Sequence, residues 1–131
     1  MQACILTHRP ESEFFIGEQC YITELSYGDH DPGLSIARAR VTPGVSTHWH
    51  ALRGKVERYV LLAGKGVVEV GELPAREVGP GDVVVIPAGC RQRITCTGNE
   101  DLVFLALCSP RFEAACYKDL DASAEPTLNR R

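Results

Sequence analysis

Turn-forming residues interrupt this chain so often that a long helix has no room. Asp29-His-Asp-Pro-Gly33, Pro43-Gly44, Ala63-Gly-Lys-Gly66, Pro80-Gly81-Asp82, Pro87-Ala-Gly89 and Gly98-Asn99 recur at short intervals, with β-branched and other apolar residues filling the gaps. Proline removes a backbone donor and glycine supplies turn conformations, so such gaps read as the short strands of an all-β barrel or sandwich. Residues 20–27 alternate apolar and polar side chains, and residues 34–41 follow as another strand. Val83-Val-Val-Ile86 reads as a buried strand, and residues 102–108 are apolar enough to be buried on both faces. Arg58-Tyr-Val-Leu-Leu and Val67-Val-Glu-Val-Gly71, joined across the 63–66 turn, read as a hairpin. About nine strands result. Beyond Pro110, residues 111–117 can form one short helix or turn, and residues 119–131 are polar with no apolar period. The expected organisation is one domain over 1–118 and a mobile polar tail over 119–131.

Size and charge narrow the functional classes. A chain of 131 residues with 44% apolar content suits a single domain with its own core. Its formal charge of -3 and scattered Lys and Arg lack the basic footprint of a nucleic-acid binder. No apolar run is long enough to span a membrane and no leader is visible, so a cytoplasmic protein without membrane contact is expected. Cys4, Cys20, Cys90, Cys96, Cys108 and Cys116 show no Cys-x-x-Cys spacing, and free thiols are expected.

Against this background His48-Trp-His50, with Glu57 downstream, stands out as a compact set of metal-type ligands. On an extended strand alternate side chains share a face, which would set the two imidazoles the same way, about 6.6 Å apart. By the same alternation Trp49 faces away from them, and Tyr59 points with Glu57.

The spacing Gly44-x5-His50-x-Leu52-x4-Glu57-x6-Gly64 resembles the first signature motif of the cupin superfamily, and Gly81-x5-Pro87-x-Gly89 followed by Gln92 resembles the second. The resemblance covers residues 44–96 directly. It implies a double-stranded β-helix, or jelly-roll, barrel, often homodimeric. The mouth of such a barrel usually holds a divalent metal on three histidines and a glutamate. This chain departs from that pattern. Leu52 occupies the second histidine slot, Gln92 the third, and Cys96 the usual asparagine position. Ungapped, His50 is the motif histidine and His48 falls outside; aligning both histidines demands compensating shifts on either side.

The candidate metal ligands are therefore His48, His50, Glu57 and Gln92, with glutamine a weaker, neutral oxygen donor. Mixed nitrogen and oxygen ligation suits iron, manganese, nickel or zinc without choosing among them. His50, Glu57 and Tyr59 are the candidate acid/base groups. Tyr59, Gln92 and the paired guanidiniums of Arg38 and Arg40 are candidates for holding a substrate, the arginines suiting a carboxylate. Two functions follow. One is a metal-dependent enzyme acting on a small organic acid or sugar-like metabolite. The other is a metal-depleted cupin that binds a small molecule or partner, or performs metal-free acid/base isomerisation.

Overall fold

The computed structural model describes residues 1–121; residues 122–131, most of the expected tail, lie outside them. The described residues form eleven strands: β1 (Phe14–Ile16), β2 (Cys20–Ser26), β3 (Ser35–Val41), β4 (His50–Leu52), β5 (Val56–Ala63), β6 (Gly66–Val70), β7 (Arg76–Val78), β8 (Val83–Ile86), β9 (Gln92–Cys96), β10 (Leu102–Ser109) and β11 (Tyr117–Asp119). They pair antiparallel in two sheets, ordered β1-β2-β3-β10-β5-β8 and β11-β4-β9-β6-β7, the two-layer arrangement of a jelly roll. Strands β1, β4, β7 and β11 span three residues each, too few for a periodic signal, so the sequence pattern undercounts them. The expected C-terminal helix is a single 3-10 turn, Ala114–Cys116.

The expected hairpin across residues 63–66 does not form. Strand β5 pairs with β10 and β8, whereas β6 pairs with β9 and β7 in the other sheet. The connection is a corner between layers, and Gly64 is its pivot. Gly64 has φ +81°, and a Cβ there would lie 2.4 Å from the Asp101 carbonyl oxygen. Only glycine lets the chain turn this tightly against the start of β10.

Alternation along each strand sorts side chains between core and surface. In β3, Ala37, Ala39 and Val41 face inward, and the small alanines leave room for Tyr59 and Phe104, whose rings meet at 4.4 Å between centroids. Strand β10, central between β3 and β5, buries Leu102, Val103 and Phe104 in succession. Each fully buried Leu, Ile or Phe contributes about 1.5–3 kcal/mol relative to exposure. A second, smaller cluster of Leu52, Cys108, Phe112 and Cys116, with Tyr117 against it, packs at the end of the barrel that carries the site. All six cysteines are free thiols.

Candidate functional site

The site begins with a three-residue hairpin loop, Gly17-Glu18-Gln19, between β1 and β2. Gln19 takes the left-handed conformation, φ 74°, and its N–H donates to the Ile16 carbonyl at 3.0 Å. The turn folds the loop over the barrel end, where the Glu18 carbonyl accepts from the His48 N–H at 3.0 Å. The Glu18 side chain is thereby buried, facing His50.

His50 opens β4 and is cross-paired with Gln92 of β9 and Asp119 of β11. Its Nδ1 lies 2.7 Å from the His48 carbonyl oxygen. A carbonyl only accepts, so Nδ1 carries the hydrogen and Nε2 is left as the cavity-facing nitrogen. Nε2 is 3.2 Å from Glu18 Oε2. The contact is an ion pair when His50 carries its second proton. The ring of Tyr117 stacks on His50 at 5.3 Å between centroids and 18° between planes. Its hydroxyl is buried without a hydrogen-bond partner among the described residues.

Opposite, Glu57 and Tyr59 share the inward face of β5. The Tyr59 hydroxyl donates to Gln92 Oε1, and Gln92 Nε2 donates to Glu57 Oε1 at 2.8 Å. The Cys108 thiol faces Glu57 Oε2 at 3.7 Å. All four groups are buried. Between the two halves lies a cavity of about 10 Å³, lined by Glu18, Cys20, Thr47, His50, Glu57 and Tyr117 among others. That is room for about one water.

Burial first, then the Glu57 and Glu18 charges, push the Tyr59 phenol well above the ordinary value near 10, and burial followed by Glu18 does the same for Tyr117. Both stay protonated in the fold, which makes Tyr59 the donor to Gln92. Raised folded-state values mean that this contribution to stability is complete below the unfolded phenol value and declines as pH rises above it. In an ultraviolet titration, tyrosinate absorbance from these two rings is expected only together with alkaline unfolding.

Of the residues singled out in the sequence, His50, Glu57, Tyr59 and Gln92 come together, and His48, Arg38 and Arg40 lie elsewhere. His48 does not join His50: its Nδ1 meets Asp119 Oδ2 at 3.2 Å, away from the cavity. Between the Ser46–Thr95 bridge and β4 the chain leaves regular extension, so Thr47 takes the inward position and the alternation that would pair the histidines is broken. Arg38 and Arg40 lie on the opposite face of β3 from inward-facing Ala37 and Ala39. There Arg40 grips Glu13 at 2.7 Å and Asp101 at 2.9 Å, and Arg38 adds to Glu13 at 3.6 Å. The Gln92 amide is held at both ends, its nitrogen donating to Glu57. Its oxygen is engaged by Tyr59, and the reverse amide orientation would set it against the Glu57 carboxylate.

The Arg40 hydrogen bond holds Glu13 below its ordinary carboxylate value. A depressed folded-state value stabilises above the unfolded one, 4.5, and the benefit is lost as pH falls through the folded value. Arg40→Ala should cost at most about 1 kcal/mol at neutral pH, less below pH 4.5, and leave ligand binding in the cavity unchanged. Denaturant unfolding at two pH values measures this.

The residues present do not fit the four-ligand metal centre that the motifs imply. Leu52, in a histidine slot, lines the cavity as a buried apolar side chain. Gln92 is turned, and among the described residues no three His, Cys, Asp or Glu side chains converge to hold a metal ion. Sequence reasoning missed Glu18 and Tyr117. Neither lies in a motif: one is in a hairpin loop, the other on a three-residue strand, and only the tertiary fold places them against His50.

The sequence profile described as "Cupin domain" matches residues 37–108. A stretch of 80 residues is 35% identical to the oxalate-binding protein of Thermotoga maritima, covering 60% of this chain and 64% of that protein. A stretch of 64 residues is 39% identical to the glucose-6-phosphate isomerase of Pyrococcus horikoshii, covering 46% of this chain and 34% of that protein. The matches thus span about a third of one relative and just under two thirds of the other. The crystal structure described as a predicted oxalate decarboxylase from Thermotoga maritima superposes with a TM-score of 0.71 at 26% identity, over 80% of this chain and 99% of that one. Among the described residues no helix is long and apolar enough to cross a membrane.

Proposed function

This chain belongs to the cupin domain family, and on that footing we propose that it is a small-molecule cupin whose chemistry is proton transfer by the buried Glu18–His50 pair, with no resident metal at the family's usual position. One observation carries the reading: Nε2 of His50 faces Glu18 Oε2 at 3.2 Å, beside the unpartnered hydroxyl of Tyr117 and a gap of about one water. A hydroxyl or carbonyl group of a ligand placed in that gap replaces the water, meets Tyr117, and exchanges a proton with Nε2 while Glu18 balances the charge. The hydrogen bond from Nδ1 to the His48 carbonyl holds the ring in one tautomer during the exchange. The Glu57–Gln92–Tyr59 chain forms a rigid floor whose groups satisfy one another.

Charge selects the ligand class. Glu18 and Glu57 line the cavity, and among the described residues no Lys or Arg does. At an effective dielectric of about 20, two like charges 4 Å apart repel by about 4 kcal/mol, so a bare organic acid is disfavoured there. A neutral hydroxylated, sugar-like metabolite fits better, its functional group in the gap and its remainder in the mouth.

A second reading rests on the same facing pair. A divalent transition metal, iron, manganese, nickel or zinc, held by Nε2 and the Glu18 oxygen alone among these side chains, would also reconcile the two, and its charge would admit an organic acid. Elemental analysis of untagged protein, before and after incubation with each metal, separates the two. Substoichiometric metal throughout is expected, together with His50 ring resonances that move on adding polyols or aldoses and not on adding oxalate. Stoichiometric metal lost in both Glu18→Ala and His50→Ala would overturn the proton-pair reading in favour of the metal.

A further inference from the structure

We propose that the edge cleft between β7 and β8 is a second ligand site, one that takes an aliphatic carboxylate with its chain along a valine floor and its head on Arg76. The cleft follows from the topology. Strand β8 ends one sheet and β7 ends the other, so where these two edges meet the layers stop without a strand to join them. Alternation turns Val68 and Val70 of β6 and Val84 of β8 inward, and these buried side chains form the floor.

The cleft holds about 500 Å³, within the range of about 300–1,000 Å³ usual for small-molecule sites, whereas the cavity at His50 holds about 10 Å³. One wall is the connection 71–75, where Leu73 is 70% exposed with Pro74 beside it. The other is the edge of β8, where Val83 and Val85 are 59% and 61% exposed. Apolar side chains on the floor and both walls favour an apolar chain over water.

One charge is built into this surface. Arg76 stands directly opposite Val68 in the β6–β7 pairing, so the two side chains share the inward face and the guanidinium lines the cleft. Among the described residues no carboxylate pairs with it, whereas Arg93 holds Glu69 at 2.7 Å. The acidic residues of the cleft are directed elsewhere. Glu77, opposite Val67, belongs to the outward face of β7, and Asp82 Oδ2 accepts from the Gly79 N–H at 2.8 Å. A guanidinium with free donors beside an apolar trough matches a carboxylate on an aliphatic chain, since its fork of N–H groups meets both carboxylate oxygens. An alcohol would gain the trough without the fork. An amine would meet the guanidinium as a like charge.

Decanoate is the probe, followed by titration calorimetry. One molecule should bind per chain, affinity should rise about fourfold per methylene from hexanoate to decanoate, and decanol and decylamine should bind at least about tenfold more weakly. Arg76→Gln should lower decanoate affinity about tenfold and leave decanol unchanged, whereas Leu73→Ser should weaken both. Both residues are exposed, so neither change burdens the fold. Glu18→Gln should bind decanoate as the unmodified protein does, which keeps this site separate from the one at His50. Uptake without saturation, equal affinity for decanol or decylamine, or unchanged decanoate binding in Arg76→Gln would each overturn the proposal. Decanoate affinity lost in Glu18→Gln would also overturn it, by placing the acid at His50. So would binding that appears only at high dilution or after removal of residues 122–131, because a second copy or those residues would then fill the cleft.

Discussion

Gln92→Leu is expected to lower the stability of the domain by about 3–5 kcal/mol, the range for removing one partner of a buried charged hydrogen bond. Gln92 is fully buried, and its amide joins Tyr59 to Glu57, so leucine leaves the Glu57 carboxylate without its 2.8 Å donor and the Tyr59 hydroxyl without its acceptor. Leucine is close in volume, so little of the loss comes from a cavity. Denaturant unfolding would read it as a shifted midpoint with an unchanged slope. The partners supply the control. Glu57→Leu combined with Gln92→Leu should recover most of the loss, because exchanging both ends of a buried polar pair for apolar groups is often nearly neutral. A single-variant loss under about 1 kcal/mol would mean that water reaches Glu57 and that the floor of the cavity is not dry.

His50→Ala should weaken binding of the best polyol or aldose by about 100-fold, close to 2.7 kcal/mol. It should also lower folding stability, since it removes the stacking on Tyr117, the bond to the His48 carbonyl and the partner of buried Glu18. Glu18→Gln separates proton exchange from packing. Its amide keeps the shape of the side chain and removes the carboxylate charge that faces Nε2 at 3.2 Å. The fold should be retained, while binding falls about tenfold. Tyr117→Phe deletes only the unpartnered hydroxyl, so it should leave stability unchanged or slightly raised and weaken binding. Titration calorimetry with denaturant unfolding distinguishes these outcomes. If Glu18→Gln binds as the unmodified protein does, the pair is a structural contact and His50 acts alone.

Much of this was legible in the sequence where period-two alternation persists. Strand β5 carries Glu57 and Tyr59 inward, and β9 carries Gln92, Ile94 and Cys96 inward, as the spacing of those residues indicates. Illegible were the residues whose direction depends on something beyond their own strand. Arg38 and Arg40 were correctly placed on one face of β3, but which face meets the barrel interior depends on Ala37 and Ala39 packing under Tyr59 and Phe104 from β5 and β10. The 63–66 turn was visible as a turn, yet whether it closes a hairpin or a corner is decided by the contact of Gly64 with the start of β10.

The two histidines mark the division most plainly. By itself the sequence determined that the chain is built of short strands, that His50 occupies the motif position, and that Glu57 follows it at a set distance, because turn chemistry and side-chain alternation are local properties of the backbone. Only the tertiary structure decided that His48 turns to Asp119, that Glu18 and Tyr117 close on His50, and that Gln92 locks onto Glu57. Those contacts join residues between 32 and 71 positions apart or cross an irregular segment, where no local period carries direction and packing of the whole barrel does.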